Sequence, residues 1–370
     1  MFVLNIGAGG TYLLLLSPFP TVVRGSGVPA SRLRATMCLF GRRSGGRKPR
    51  VDVIISGSTG LIGSTLTPEL ERGGHRAIHL SRSRPASEDT VRWDPSAGMI
   101  DASRLEGIDA VVHLAGENVG EGQWTPAKKK RIMDSRRKGT RLLAETIARL
   151  PEPPEVMVSV SGINYYGSRG NELLREESGP GSSFLARVCQ EWEQAADPAR
   201  KAGIRVVHPR FGIVFPQGFS RDLLGLKVGI EHPRFEITFG AKGSTLATFP
   251  VFKLTGGGWI GSGRQYWSWT ITDDVAGVIL HALTTDSLQG PVNAVPSPVT
   301  AREYTETLNR ILKRPTVFPL PASVARIALG DFAEEMLLAS IRVDSTKLIE
   351  SGYEFRYPEL EGALQHLLGR

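Results

Sequence analysis

The chain predicts an α/β fold: a doubly wound, mostly parallel sheet with a small, mostly helical lobe at its C-terminal end. Three observations predict it. Short apolar strands alternate with helix-length segments from Val51 onward, a glycine-rich turn joins the first strand to the first helix, and the alternation gives way to helical segments after about Gly290. Strands alternating with helices mean βαβ units and a parallel sheet.

The elements follow in order. Val51–Ser56 predicts a short buried strand, Leu61–Arg72 a helix, Arg76–Leu80 a second strand, and Ala110–Leu114 another, opened by Asp109. Pro126–Leu150 reads as a long helix, with proline in its first turn, where a missing N–H costs nothing. Val156–Val160, Val206–Val207 and Ile213–Phe215 add strands, and Phe184–Ala196 is a helix between them. Thr300-x-x-Glu303 is a capping box for a helix Glu303–Leu312, followed by helices near 322–340 and 359–368. From Pro216 to about Lys242 neither period 2 nor period 3.6 holds, so this stretch is expected to be a surface insertion. The layout is a leader over 1–50, a dinucleotide-binding domain over 51–290 carrying the insertion 216–242, and a helical C-terminal domain over 291–370.

The 370 residues carry a formal charge of +8, which would suit a polyanion-binding protein. Eight of the 45 basic residues lie in 1–50, where there is no acidic residue at all; the rest of the chain holds 37 of each sign. The body is balanced, and nucleic acid is not an expected partner. An acid-free, Arg-rich leader with scattered hydroxyls has the composition of a transit peptide. It predicts an organellar address, chloroplast ahead of mitochondrion, or the cytoplasm if the leader has another role. No apolar run approaches the ~20 residues of a membrane span. Cys38 and Cys189 are the only cysteines, and the seven histidines form no close pair, so neither a disulfide framework nor a metal site is expected.

The turn Ser56-Gly57-Ser58-Thr59-Gly60-Leu61-Ile62-Gly63 is the strongest chemical signal. Its first glycine permits the tight turn and its second lets a pyrophosphate reach the backbone. The third lets helix and strand pack closely, with the phosphate at the helix N-terminus. A dinucleotide is therefore expected on Gly57 through Gly63. An acidic residue after the second strand would select NAD by holding the ribose 2′-hydroxyl. This chain instead has Ser81-Arg82-Ser83-Arg84 there. A hydroxyl and a guanidinium suit a 2′-phosphate, so NADP is the expected cofactor. On the long helix, 100° per residue puts Ile132, Gly139, Leu143, Ile147 and Leu150 on one stripe, with Arg136 inside it and Arg131, Arg137, Lys138 and Arg141 outside. The outer cations read as a solvated face. Arg136 points inward and needs an anion, supplied by cofactor or substrate.

These residues together resemble the extended short-chain dehydrogenase/reductases of Rossmann fold. Within them the chain is similar to an atypical branch, the epimerase-family proteins of the 39U type. The resemblance covers about 51–370. Besides the glycine turn it rests on His113-Leu114-Ala115-Gly116-Glu117-Asn118, Ser135-Arg136, Val160-Ser161-Gly162, Tyr165-Tyr166-Gly167, Trp192-Glu193 and Pro209-Arg210. Further on it includes Trp269-Thr270-Ile271-Thr272-Asp273-Asp274 and Arg356-Tyr357-Pro358. It implies that Leu114-Ala115 pass beneath the cofactor and that Ser81-Arg82 contact its adenosine phosphate. Arg136 and Arg210 are counted with the cofactor-binding residues.

The chemistry departs from the pattern. Most of the superfamily uses Tyr-x-x-x-Lys on a helix, the lysine lowering the pKa of a phenol that works as general acid/base. No tyrosine here has lysine four residues on; the helix Phe184–Ala196 offers Phe184, Leu185, Val188 and Cys189 instead. Ser161 lies five residues before Tyr166 rather than the usual four. Two readings follow. One is an NADP-dependent oxidoreductase or epimerase of an unknown small molecule, with Ser161, Tyr165, Tyr166 and Glu193 as candidate catalytic groups. The other is a catalytically quiet, NADP-occupied module that binds a protein partner, a role some relatives' names connect with organelle division.

Overall fold

A computed structural model describes residues 50–83, 87–216, 258–313 and 319–369, which fall within one compact unit, Leu39–Arg370. The leader up to residue 49, and all of the expected insertion except Pro216, lie outside the described residues. The chain forms β1 (Asp52–Ser56), α1 (Leu61–Arg72), β2 (Arg76–Ser81), β3 (Thr90–Asp94), β4 (Met99–Ile100), β5 (Ala110–His113), α2 (Pro126–Ile147), β6 (Val156–Ser159) and β7 (Ser161–Gly162). Next come β8 (Leu173–Leu174), α3 (Phe184–Ala195), α4 (Asp197–Lys201), β9 (Arg205–Phe211), β10 (Ile213–Phe215), β11 (Tyr266–Trp267), β12 (Trp269–Ile271), α5 (Thr272–Thr284) and β13 (Gly290–Asn293). The remainder forms β14 (Val299–Thr300), α6 (Ala301–Leu312), α7 (Ala322–Leu329), β15 (Arg342–Val343), α8 (Thr346–Glu350) and α9 (Leu360–Leu367).

Among the described residues the main sheet has nine strands. Their spatial order is β13-β9-β6-β5-β1-β2-β3-β4, with β7 also pairing with β9. All pairs are parallel except β3 with β4. The chain moves outward from β1 to β3, then returns to lay β5 on the other side of β1. That reversal opens the crevice in which doubly wound folds bind ligands. Successive strand residues bury into opposite layers. Val53, Ile55, Val112 and Val158 meet Leu66 and Leu70 of α1 and Val275 and Ile279 of α5. Ile54, Val111 and Met157 meet Leu143, Ala144 and Ile147 of α2 on the other face. The strands read as continuous apolar runs because both faces are covered.

The α/β prediction is the observed fold. Several short strands and helices have no assignment in the sequence reading, and two longer helical segments differ from it. The helix α5, which receives no assignment there, is buried on nearly every side; a helix apolar all round has no amphipathic period to detect. The single helix expected near 322–340 is interrupted. The chain turns at Gly330 (φ +54°) and continues as one π turn over Ala333–Leu337.

The C-terminal third is tied back to the body at several points. β15 pairs with β8, β14 with β11 and β12 with β10, and Phe215, Trp269, Tyr304, Leu308 and Leu364 share one apolar cluster. The Asp273-Asp274 pair at the start of α5 works as a staple. Asp274, fully buried, accepts from the Arg356 N–H at 2.7 Å, the Tyr357 N–H at 3.3 Å and the Tyr353 hydroxyl at 3.3 Å. Asp273 pairs with His366 Nε2 at 2.7 Å. The Arg356 guanidinium then grips Glu69 of α1 with two bonds of 3.0 and 3.2 Å.

One buried polar pair joins the two strands at the crevice. Ser56 Oγ accepts from the N–H groups of Leu114 and Ala115 at 3.1 and 3.3 Å. Its hydroxyl proton is thus left to donate to His113 Nδ1, 2.6 Å away, so the ring carries its own proton on Nε2. Burial, helped by the charge of Arg136, pulls the His113 pKa from 6.5 down to about 3. The folded protein therefore holds a neutral imidazole that the unfolded chain would protonate. Its contribution is fully present above pH 6.5 and is lost as pH falls from 6.5 towards 3, by roughly 5 kcal/mol in the limit. Burial lowers His208 in the same direction. The melting temperature should fall over that window, and less steeply in His113→Gln than in wild type; equal slopes would remove His113 from the account.

Candidate functional site

The turn between β1 and α1 is built by contact. Gly57 has φ +72°, and a Cβ there would lie 3.0 Å from the Ala115 nitrogen. A Cβ on Gly63 would meet the Gly57 carbonyl and Ser58 Cα at 2.5 Å, so any side chain would push helix from strand. Gly60 is the helix N-cap and provides no side-chain cap. Its own N–H bonds the Gly57 carbonyl at 3.0 Å, and the helix ladder begins only with Ser64 on the Gly60 carbonyl. Among the described residues the N–H groups of Leu61, Ile62 and Gly63 have no partner, and the first turn has no acidic residue. A cluster of unmet donors at the positive end of a helix dipole is a site for an anion. Ser58 and Thr59 form the lip of this cradle, and Leu114-Ala115 its floor.

At the end of β2, Ser81 takes the place where an acidic residue would select NAD, and its Oγ accepts from the Ser83 N–H at 3.2 Å. Arg82 beside it is exposed. On the opposite side of β1, Arg136 of α2 lies under the segment that follows β5. A Cβ on Gly116 would be 3.1 Å from the Arg136 guanidinium carbon. Nη1 donates to the Glu117 carbonyl at 2.9 Å, and the guanidinium stands 4.9 Å above the Trp192 ring. Burial lowers Arg136 to about 10, against the opposing influence of Cys189 and Glu117. The inward phase read from the sequence is the observed one. Lys128, within the basic run of the same helix, is also buried, and pairs with Glu117 at 2.9 Å.

Ser161, Tyr165, Tyr166 and Glu193 converge on Arg210. Arg210 is 1% exposed and holds Glu193 in a two-pronged ion pair, Nε–Oε1 2.8 Å and Nη2–Oε2 2.7 Å. Ser161 Oγ donates to Glu193 Oε1 at 2.8 Å. Arg210 Nη1 donates to the Tyr166 hydroxyl at 2.8 Å, and that hydroxyl donates to Asn293 Oδ1 at 2.8 Å. Burial pushes Tyr166 up to about 12. Burial alone would lower Arg210, but the Glu193 carboxylate outweighs it and raises it. Tyr165 differs: its ring lies 3.6 Å from the Arg210 guanidinium, it is half-buried, and its hydroxyl has no partner among the described residues.

The helix α3 carries Leu185 and Cys189 four residues apart, both buried. Cys189 Sγ lies 3.7 Å from where a Gly162 Cβ would sit, and burial pushes the thiol up to about 11. Neither side chain is a proton donor at neutral pH. Several partners here had no signal in the sequence. Asn293 completes the Arg210 network from β13. Glu335 reaches across to cap α3, accepting from the Phe184 and Leu185 N–H groups at 2.9 and 2.6 Å. Trp267 lines a narrow cleft with Ile163, Asn164, Tyr266 and Met336, whereas Trp269 is core. Among the described residues no group of three or more His, Cys, Asp or Glu could hold a metal ion, and no helix is long and apolar enough to cross a membrane.

A parallel sheet of this order, with an anion cradle at its switch point, defines a protein of the dinucleotide-binding, Rossmann type. The chain belongs to the NAD dependent epimerase/dehydratase family: residues 53–215 match that family's model, and residues 320–367 match a domain of unknown function (DUF1731). An epimerase family protein of Mycobacterium leprae is 33% identical over 322 residues, covering 86% of this chain and 96% of the relative. An Arabidopsis thaliana protein, the chloroplastic homolog of epimerase family protein SDR39U1, is 31% identical over 95% of each chain. The solved structure of human SDR39U1 (isoform 2) with NADPH superposes at a TM-score of 0.70, with 30% identity, over 86% of this chain and 99% of that one.

Replacing Glu193 by Gln should strand the Arg210 charge in the interior and cost about 3–5 kcal/mol. Tyr166→Phe keeps the ion pair and should cost only about 1–2 kcal/mol. Urea unfolding of the two variants checks the order; a Glu193→Gln loss no larger than that of Tyr166→Phe would contradict it.

Proposed function

We propose that this protein binds NADP(H) across the β1/β5 crevice and acts as an oxidoreductase or epimerase on a small molecule, without a Tyr-x-x-x-Lys pair. The observation that carries the reading is the uncapped α1 N-terminus, with its three unmet N–H groups, joined to Ser81-Arg82 at the end of β2. The cradle takes the pyrophosphate, Leu114-Ala115 lie beneath the dinucleotide, and Ser81-Arg82 take the 2′-phosphate. The relative solved with NADPH supports the same cofactor. When bound, the cofactor supplies a hydride. This chain's own residues must then move a proton, and Tyr165 is the one of the four candidates whose polar group is not already committed to the Arg210 network. Ser161, Tyr166 and Glu193 hold that network together, and Arg210 supports the site from behind rather than touching the dinucleotide.

A second reading, a cofactor-holding module that docks a protein partner, is favoured by one observation. The two α3 positions and the strand end that would carry proton transfer hold Leu185, Cys189 and Gly162. The chloroplastic name of the Arabidopsis relative, with the acid-free leader, supports a plastid address.

Arg82→Ala should weaken NADPH by roughly tenfold to a hundredfold and leave NADH nearly unchanged, read by nicotinamide fluorescence on titration; equal losses for both would remove Arg82 from cofactor choice. A metabolite screen following NADPH absorbance separates the two readings. Turnover abolished in Tyr165→Phe supports the enzyme, whereas tight NADPH binding without turnover of any compound favours the module.

A further inference from the structure

We infer that Arg136 is a second cationic anchor for the dinucleotide, supplying from α2, on the nicotinamide side, the positive charge that α3 lacks at Cys189. The inference rests on the NADP(H) reading above and extends it to the other half of the cofactor.

Its first support is charge accounting. Among the described residues the two fully buried Lys and Arg side chains each meet a carboxylate: Arg210 meets Glu193 and Lys128 meets Glu117. Arg136, half-buried, differs from both. It has no carboxylate partner among the described residues; Nη1 is met by the Glu117 and Ile132 carbonyls, and Nε and Nη2 have no acceptor. A half-buried guanidinium with Nε and Nη2 uncommitted has donors left for an oxygen anion.

The second support is position. The sheet order β5-β1-β2 puts Ser81-Arg82 on one side of the glycine turn and the β5 end on the other. Gly57 packs on Ala115, and Arg136 packs on the next residue, Gly116. A dinucleotide whose pyrophosphate rests on the cradle and whose adenosine phosphate reaches Arg82 must lead its other half over β5, past Arg136. The third support is what surrounds the guanidinium: the Trp192 ring beneath it, and Cys189 one helical turn earlier. A lysine at 189 would aim into the same slot. The neutral thiol leaves that space to Arg136, whose free edge is suited to an oxygen anion of the cofactor or of a bound carboxylate substrate.

Two probes test this: NADPH, and 2′,5′-ADP, which has the adenosine phosphate end but no nicotinamide half. Arg136→Gln should weaken NADPH about tenfold to a hundredfold and leave 2′,5′-ADP within twofold, measured by calorimetry on protein that melts cooperatively. Arg136→Lys keeps a charge but loses the fork, so it should lose NADPH severalfold with 2′,5′-ADP again unchanged; it serves if the glutamine variant does not fold. Unchanged NADPH affinity would assign Arg136 to a substrate anion alone and overturn the inference. Equal losses for both probes would make it a structural residue, with the same consequence. Wild-type protein that binds neither probe would sink the cofactor reading itself, whereas wild type that binds both, with indifferent variants, sinks only the role of Arg136.

Discussion

The interior of this protein is organised around one buried charge. Arg210 sits at the end of β9 with almost no exposure, where the cost of desolvating a guanidinium is several kcal/mol. Glu193 repays it with two parallel bonds, and once the carboxylate is fixed the rest follows. Ser161 on β7 donates to it, the Tyr166 hydroxyl is held between Arg210 and Asn293, and the Tyr165 ring closes over the guanidinium. Five elements meet there: β7, the turn after it, α3, β9 and β13. A buried ion pair is weak evidence for stability; what this one does is tie α3 to β9.

This arrangement separates two tasks. The polar groups around Arg210 are paired with one another, while the first α1 N–H groups, Nε and Nη2 of Arg136 and the Tyr165 hydroxyl have no partner among the described residues. A hydroxyl engaged as both donor and acceptor, in a site that raises its pKa to about 12, is a poor proton shuttle. The cluster braces β7, α3, β9 and β13 against one another.

Much of the crevice was legible in the sequence because its code is local. The glycine turn spans eight consecutive residues whose spacing alone implies strand, tight turn and helix, and Arg136 follows from helical phase. The capping box at Thr300 and Glu303 forms as read. What escaped depends on partners far apart in the chain. Asn293 meets Tyr166 across 127 residues, and Glu335 caps α3 from 150 residues away. No local pattern marks either as polar glue rather than surface. Lys128 was hidden for a related reason: within a run of four basic residues, only tertiary contact with Glu117 distinguishes the buried one. The absence of a Tyr-x-x-x-Lys pair was plain from the sequence, but which groups fill its space needed coordinates.

The grip of Arg356 on Glu69 has a thermodynamic corollary. Glu69 is on α1, whose first turn forms the anion cradle, and Arg356 belongs to the segment pinned by Asp274 to α5. The far end of that helix is therefore tethered to the chain's last structured stretch. Whatever favours an ordered α1 at its amino end favours the docked tail at its carboxyl end, and by reciprocity a secured tail tightens the cradle by the same free energy. The domain of unknown function at the C-terminus is, in this light, a fastening for the helix whose amino end forms the anion cradle.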